Sequence, residues 1–307
     1  MAATRIVLAL ALLSLALPGF AEPPACPGGH AVLQILGSRG PEFLDGAAST
    51  SYLIWIDGKA RVLVDTGPGS ARRFAEAGAR YADLALILFT HFHVDHSADL
   101  AAYVKAGFFS DRKRDLPLFG PSGNSLVAGM DRLVQRLIGA PDGLYPYLSQ
   151  YLEKAAPSPY KLRPHEIPWS YEHTEPRPVY ARDGIRVSAA PVHHGPFPAL
   201  AYRVEAGGCT LAFSGDMTGR LHSLPALARG ADILVAHNAI PEDARGVPAR
   251  LHMRPSTIGE IAAEAGVKGL VLSHFMKRSL HRQGETLDLV RRHYTGPVAF
   301  AHDLDRF

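Results

Sequence analysis

The sequence predicts an α/β fold whose chemistry gathers at one edge of a sheet. Short apolar runs alternate with helical patterns along the chain, without a clear linker or repeat. Histidines and aspartates stand directly after several of those runs, and strand ends on one side of a sheet converge in space. The 307 residues suffice for one large α/β domain or two small ones. Hydrophobic residues make up 47% and charged residues 20%, a balance that supports a substantial core and excludes a disordered chain. The formal charge of +3 is a mild bias, without the dense Lys/Arg stripes of a dedicated nucleic-acid binder. The one basic knot, Asp111-Arg112-Lys113-Arg114-Asp115, is bracketed by acids and reads as a solvated loop.

The first 21 residues read as an export signal rather than as fold. Arg5 supplies the positive start, and Ile6 to Leu17 is apolar but too short for a comfortable membrane span. Small residues at Gly19 and Ala21 place cleavage after Ala21, leaving 22–307 as a single domain without stable membrane insertion. An uncleaved anchor is disfavoured by the short apolar stretch, and Pro23-Pro24-Ala25-Cys26 is a poor lipoprotein match. The periplasm is the expected address in a double-membrane bacterium. Cys26 and Cys209 permit one disulfide in an oxidising compartment; two unpaired thiols are the equal alternative. Neither cysteine has a partner at zinc-finger spacing.

Strands are expected at Ala31–Leu36, Ser51–Ile56 and Ala60–Val64, the last ending at Asp65-Thr66-Gly67. Ser70 is positioned to cap a helix to about Ala77, and 82–89 forms the next strand. Leu126, Met130, Leu133 and Leu137 repeat at helical spacing after the break Gly120-Pro121-Ser122-Gly123. The Pro- and Tyr-rich stretch that follows reads as helical or irregular, which gives a cap insertion around 121–182. Further strands are expected near Ile185–Val192, Ala201–Val204, Thr210–Phe213, Ile233–Ala236 and Gly269–Ser273. A helix over Thr257–Ala265 opens at Pro255, with Thr257 and Glu260 as a capping box, and closes at Gly266.

The chemistry starts at Thr90-His91-Phe92-His93-Val94-Asp95-His96, directly after the apolar run Leu84–Phe89. His91, His93 and Asp95 are spaced by two and His96 follows, so one loop offers ligands to two neighbouring cations. Imidazole with carboxylate suits zinc, and paired metals commonly hydrolyse phosphodiesters and amides. A His-rich surface loop is the bland alternative, which four ligating groups after a buried strand argue against. His193-His194, Asp216, His237 and His274 each follow another expected strand, and together they supply the remaining ligands. His30, His165, His173, His222, His281, His293 and His302 have no such placement and read as surface or turn residues.

These motifs resemble the metallo-β-lactamase superfamily, in its ribonuclease Z-like and phosphodiesterase-like branch. The resemblance rests on Asp65-Thr66-Gly67, His91-x-His93-x-Asp95-His96, a His near 194, Ser214-Gly215-Asp216 and Leu272-Ser273-His274. Leu118-Phe119-Gly120-Pro121 and Ala199-Leu200-Ala201-Tyr202-Arg203 also look like this branch. It implies a four-layer αββα sandwich with the site at one edge of the sheets. It implies two zinc ions, one on His91, His93 and His194, the other on Asp95, His96 and His274, with Asp216 bridging. His194 is preferred to His193 because the family's ligand is typically followed by glycine, here Gly195. Asp95 would also orient the attacking hydroxide, and His252 would serve the leaving oxygen. The family's run at that point is commonly His-Ser-Thr, whereas this chain has His252-Met253-Arg254; a helix-entry histidine facing solvent is the alternative. His237 reads as a supporting group rather than a ligand.

Ribonuclease Z enzymes commonly carry a long arm for transfer RNA between the fourth histidine ligand and the bridging aspartate. Here only Gly195 to Gly215 separates His194 from Asp216, and an exported protein would not meet precursor transfer RNA. The expected substrate is therefore a small molecule, most simply a phosphodiester or related ester, with transfer RNA excluded. Export also admits a β-lactamase or lactonase, and a non-catalytic metal-dependent binding protein is a third reading. A homodimer is compatible with all three.

Overall fold

A computed structural model describes residues 24–307, so the expected signal sequence lies outside the described residues. The chain forms two sheets. The first has the order β1 (Ala31–Gly37), β2 (Ser51–Ile56), β3 (Lys59–Val64), β4 (Leu86–Leu88), β5 (Leu116–Pro121) and β6 (Leu162–Ile167). Its first three strands are antiparallel neighbours, and β3 to β6 run parallel. The second sheet runs from β7 (Arg177–Arg182) through β8 (Ile185–His194), β9 (Phe197–Ala206), β10 (Cys209–Phe213), β11 (Ile233–His237) and β12 (Leu270–Ser273) to β13 (Val298–Phe300). There β7 to β10 are antiparallel and β10 to β13 parallel.

Side-chain alternation along the strands divides the core into layers. Tyr52 and Ile54 of β2 meet Leu211 and Phe213 of β10 between the sheets. Leu53 of the same strand faces α1 (Ser70–Glu76), α3 (Leu100–Phe108) and α4 (Met130–Ile138), which cover the first sheet with Phe74, Val104 and Val134. Ala212 and Leu234 face α5 (Ser223–Ala228), α6 (Pro255–Ala265) and α8 (Gln283–Arg291), through Leu224, Ile258 and Val290. This is the expected αββα sandwich. The central strands are apolar on both faces because both faces are covered. Cys26 and Cys209 are joined in a disulfide that fastens the start of the described chain to β10. Among the described residues no helix is long and apolar enough to cross a membrane.

Several local expectations change. Residues 121–182 are no detached cap: they supply α4 and also the edge strands β6 and β7, one to each sheet. Alternation there is hidden by prolines and charges, because both strands are edges. Leu126 is exposed and lies before α4, whose buried stripe is Met130, Val134 and Ile138. The strand expected over 82–89 shortens to Leu86–Leu88, after a 3-10 turn at Tyr81–Asp83. Arg112 explains part of that turn. It is buried, not solvated, and its Nη1 donates to the carbonyls of Tyr81 (3.1 Å) and Leu84 (2.7 Å). Neither expected helix cap is made by the helix's own side chain. Ser70 is the first residue of α1, after Gly69, and the Ala71 amide donates to Asp99 Oδ2 (3.0 Å). In α6 the Ser256 amide and hydroxyl donate to Glu242 (3.0 and 2.7 Å), in place of a Thr257–Glu260 box. Carboxylates from elsewhere in the chain satisfy both helix starts.

The contact between α6 and α8 leaves no room at Gly259, where an added Cβ would lie 2.7 Å from the Val290 carbonyl oxygen. Helix propensity alone would make Gly259→Ala stabilising by about 1 kcal/mol. The backbone clash makes it destabilising instead, by about 1–3 kcal/mol. Urea denaturation of the variant beside the parent measures the sign.

Candidate metal centre

The carboxyl ends of β4, β10, β11 and β12 open at one edge of the sandwich, with the end of antiparallel β8 beside them. The loop after β4 carries His91 and His93 and turns into the short helix α2 (Val94–Ser97), which holds Asp95 and His96. His194 ends β8, Asp216 follows β10, His237 ends β11 and His274 follows β12. His91, Asp95, His96, His194, Asp216, His237 and His274 are buried; His93 is half-buried.

Asp216 stands at the middle. Its Oδ2 lies 3.9 Å from His91 Nε2 and 3.8 Å from the Nε2 atoms of both His194 and His96. Its Oδ1 lies 3.3 Å from His274 Nε2. His93 Nδ1 is 3.3 Å from His194 Nε2. Asp95 Oδ2 is 3.1 Å from His274 Nε2 and 3.5 Å from His96 Nε2. Two groups result, His91–His93–His194 and Asp95–His96–His274, with Asp216 reaching both. Proximity alone would also join His237 to His96, His274 and Asp216. Both ring nitrogens of His237 are already engaged, Nδ1 with Asp216 Oδ1 (2.7 Å) and Nε2 with the Tyr52 hydroxyl (2.9 Å). It braces the aspartate, in the supporting role the sequence suggested.

Neighbours fix which nitrogen each ring presents. His96 Nδ1 pairs with Asp65 Oδ2 at 2.8 Å, and His194 Nδ1 donates to the Leu251 carbonyl at 2.8 Å, so each presents Nε2 inward. His91 Nδ1 lies 3.1 Å from the Thr90 hydroxyl, while its buried Nε2 has no partner. Gly40 packs on the far side of His274, where an added Cβ would come within 2.8 Å of Cε1. Asp65 and His274 both have positive φ, 58° each, backbone held against its preference at the strand ends. The supporting groups Tyr52, Thr90 and Gly40 carried no sequence signal. Asp65 did, as an acid closing an apolar strand.

His193 points away: its Nδ1 contacts the Thr218 hydroxyl (2.9 Å) and its ring stacks on Tyr171. His252 faces the cluster rather than solvent. Its Nδ1 is buried, lacks a hydrogen-bond partner and lies 3.6 Å from Asp216 Oδ2.

The electrostatics suit a cation. Burial holds His194 and His237 down to about 4 and His252 to about 3, despite Asp216, so these rings are neutral. Burial likewise pushes His91 well below its usual value and His93 below. Burial works against ionising Asp95 and Asp216, but the surrounding histidines together outweigh it, led by His96 at Asp95 and by His274 at Asp216, so both carboxyls fall below the usual range. Burial opposes charge on His96 too, yet Asp95 and Asp65 raise it to about 9. The neutral imidazoles of His91, His93 and His194, the ionised carboxylates and the orphaned Nε2 of His91 are donors that zinc takes, and His96 and His274, held protonated by those carboxylates, would release their protons to a cation, so a metal fits these residues.

A sequence model of the metallo-beta-lactamase superfamily matches residues 44–247. A Ribonuclease Z from Mycolicibacterium paratuberculosis is 31% identical over 286 residues, covering 89% of this chain and 96% of the relative. Among solved structures, the metallo-beta-lactamase fold protein YhfI from Bacillus subtilis superposes with a TM-score of 0.69 at 19% identity, covering 90% of this chain and 98% of that one. The short form of human tRNase Z superposes with a TM-score of 0.69 at 18% identity, with the same 90% and 98% coverage.

The two adjacent histidines give a direct test. His194→Ala should lower the metal content of the purified protein, and His193→Ala should leave it at the parent level. Elemental analysis of both variants reads the difference.

Proposed function

The chain belongs to the metallo-β-lactamase superfamily, in its ribonuclease Z-like branch, and from that premise we propose that it is an exported, zinc-dependent phosphodiesterase of small molecules. It is a metal-dependent hydrolase by family. The observation that carries the finer reading is the double set of ligands around Asp216, with His91, His93 and His194 on one side and Asp95, His96 and His274 on the other. Two zinc ions bound there would supply Lewis acidity and bring the pKa of water towards neutrality. Asp65 and the Leu251 carbonyl keep His96 and His194 turned inward, and the Tyr52–His237 pair fixes the Asp216 carboxylate. Asp95 would help hold one ion and orient the nucleophile.

His252 is the group facing the cluster from outside the ligand set. As a neutral imidazole it keeps one N–H, which it presents to the leaving oxygen. The connection between His194 and Asp216 favours a small substrate. β9 and β10 form a hairpin closed at Gly207-Gly208, leaving no arm for a large nucleic acid. Export is supported by the apolar N-terminal sequence and by the Cys26–Cys209 disulfide.

Purified protein loaded with zinc should hold about two equivalents per chain and hydrolyse bis-nitrophenyl phosphate in preference to a chromogenic cephalosporin, a lactone and a precursor transfer RNA. Preference for the cephalosporin or lactone would replace the phosphodiester reading, and efficient processing of the RNA would replace the small-molecule one. Elemental analysis finding one metal or none after zinc addition would remove the paired site.

His252→Ala should keep its zinc and fold while losing about a hundred to ten thousandfold in turnover. The loss should be largest on alkyl phosphodiesters, because nitrophenolate departs without help. Parent activity on an alkyl diester would reduce His252 to a packing residue.

A further inference from the structure

A cleft of about 670 Å³ opens between the free edges of the two sheets, where β6 and β7 face each other unpaired. It lies away from the metal centre. Its floor holds Ala85, just before β4, whereas His91 follows the other end of that strand. The six steps between them span about 20 Å of extended chain, while Phe119 at the other end of the cleft pairs with Leu88, three residues before His91.

The cleft has two unlike ends. At the upper end His165 and Tyr180 form an aromatic wall backed by buried Phe119, on which His165 stacks (centroids 4.8 Å, planes at 17°) and which Tyr180 meets edge-on (6.0 Å, 76°). At the lower end, beside the turn after β7, the lining holds Arg114 and Arg182. The lining carries four guanidinium groups, the others being Arg112 and Arg163, against two carboxylates, Asp115 and Asp183. Those carboxylates are spoken for: Arg163 pairs with Asp115 at 2.7 Å, and Arg114 with Asp183 at 3.0 Å. Among the described residues Arg182 and Arg112 have no carboxylate partner. Arg112 is 2% exposed, its Nη atoms donate to backbone carbonyls and its guanidinium lies over the Tyr81 and Tyr160 rings (5.7 and 5.5 Å), so Arg182 is the lining cation left to an outside anion.

We propose that this cleft binds a nucleotide, its base against His165 and Tyr180 and its phosphate between Arg114 and Arg182. The volume suits a ligand of that size. Aromatic faces accept a planar base, and guanidinium groups match a phosphate's geometry. The site is independent of the metal centre and of the reaction proposed there.

Isothermal titration of the mature zinc-loaded protein with AMP, UMP, adenosine and inorganic phosphate tests it. One equivalent of at least one nucleotide should bind, with adenosine and phosphate each about tenfold weaker or worse. Arg182→Glu replaces an exposed, unpaired residue and should keep the parent zinc content and diesterase turnover. It should weaken nucleotide binding about tenfold or more. Failure of both nucleotides to saturate would overturn the proposal. So would phosphate binding as tightly as the nucleotides, since the aromatic wall would then contribute nothing. Unchanged affinity in Arg182→Glu would place any bound nucleotide elsewhere, the metal centre included. Because turnover is read separately, failure here leaves the hydrolase reading standing.

Discussion

The architecture turns on one buried carboxylate. Asp216 is 2% exposed, and an ionised group so placed is tolerated only among partners that repay its lost hydration. The partners come from both sheets. Tyr52 of the first sheet holds His237 of the second, and His237 holds one oxygen of Asp216. Thr90 accepts on the same pattern across the gap, its carbonyl receiving the Leu200 amide at 2.8 Å. The relative placement of the sheets therefore sets the spacing between the two groups of imidazoles. A shift of one sheet against the other would break the brace before it moved a ligand.

Strand direction supplies the rest. Parallel neighbours release their chain ends at a common edge, so the residues after β4, β10 and β12 meet although up to 183 positions separate them (91 to 274). His194 arrives differently, as the last residue of a long antiparallel strand paired with β9. That pairing alternates side chains, and this turns His194 inward while its neighbour His193 meets Thr218 and Tyr171.

How much of this was legible beforehand follows the same division. Strand ends carrying His91, Asp216 and His274 could be read because an apolar run followed by a ligand is a local pattern. The sandwich itself followed from the motifs, not from periodicity, since strands covered on both faces show little alternation. The edge strands β6 and β7 escaped notice because edges tolerate proline and charge. Arg112 looked solvated because a basic knot shows its charge and conceals its geometry: the carbonyls that receive it lie about thirty residues earlier. The caps of α1 and α6 failed for a like reason, as Asp99 and Glu242 reach the helix starts only through the fold. Tyr52 and Gly40 touch the site from the outer side of its ligands, where no spacing rule reaches.

The Cys26–Cys209 link also bears on the order in which the chain assembles. It closes a loop of 183 residues, which by chain entropy restricts the unfolded ensemble by about 5 kcal/mol. The second thiol is made 183 residues after the first, so Cys26 stays untied while that stretch is synthesised. Where thiols are kept reduced, the folded state forgoes that restriction altogether and competes less well with an extended, threadable chain. The bond thus acts as a latch that closes late and only under oxidising conditions, and its hold on the finished sandwich begins at that moment.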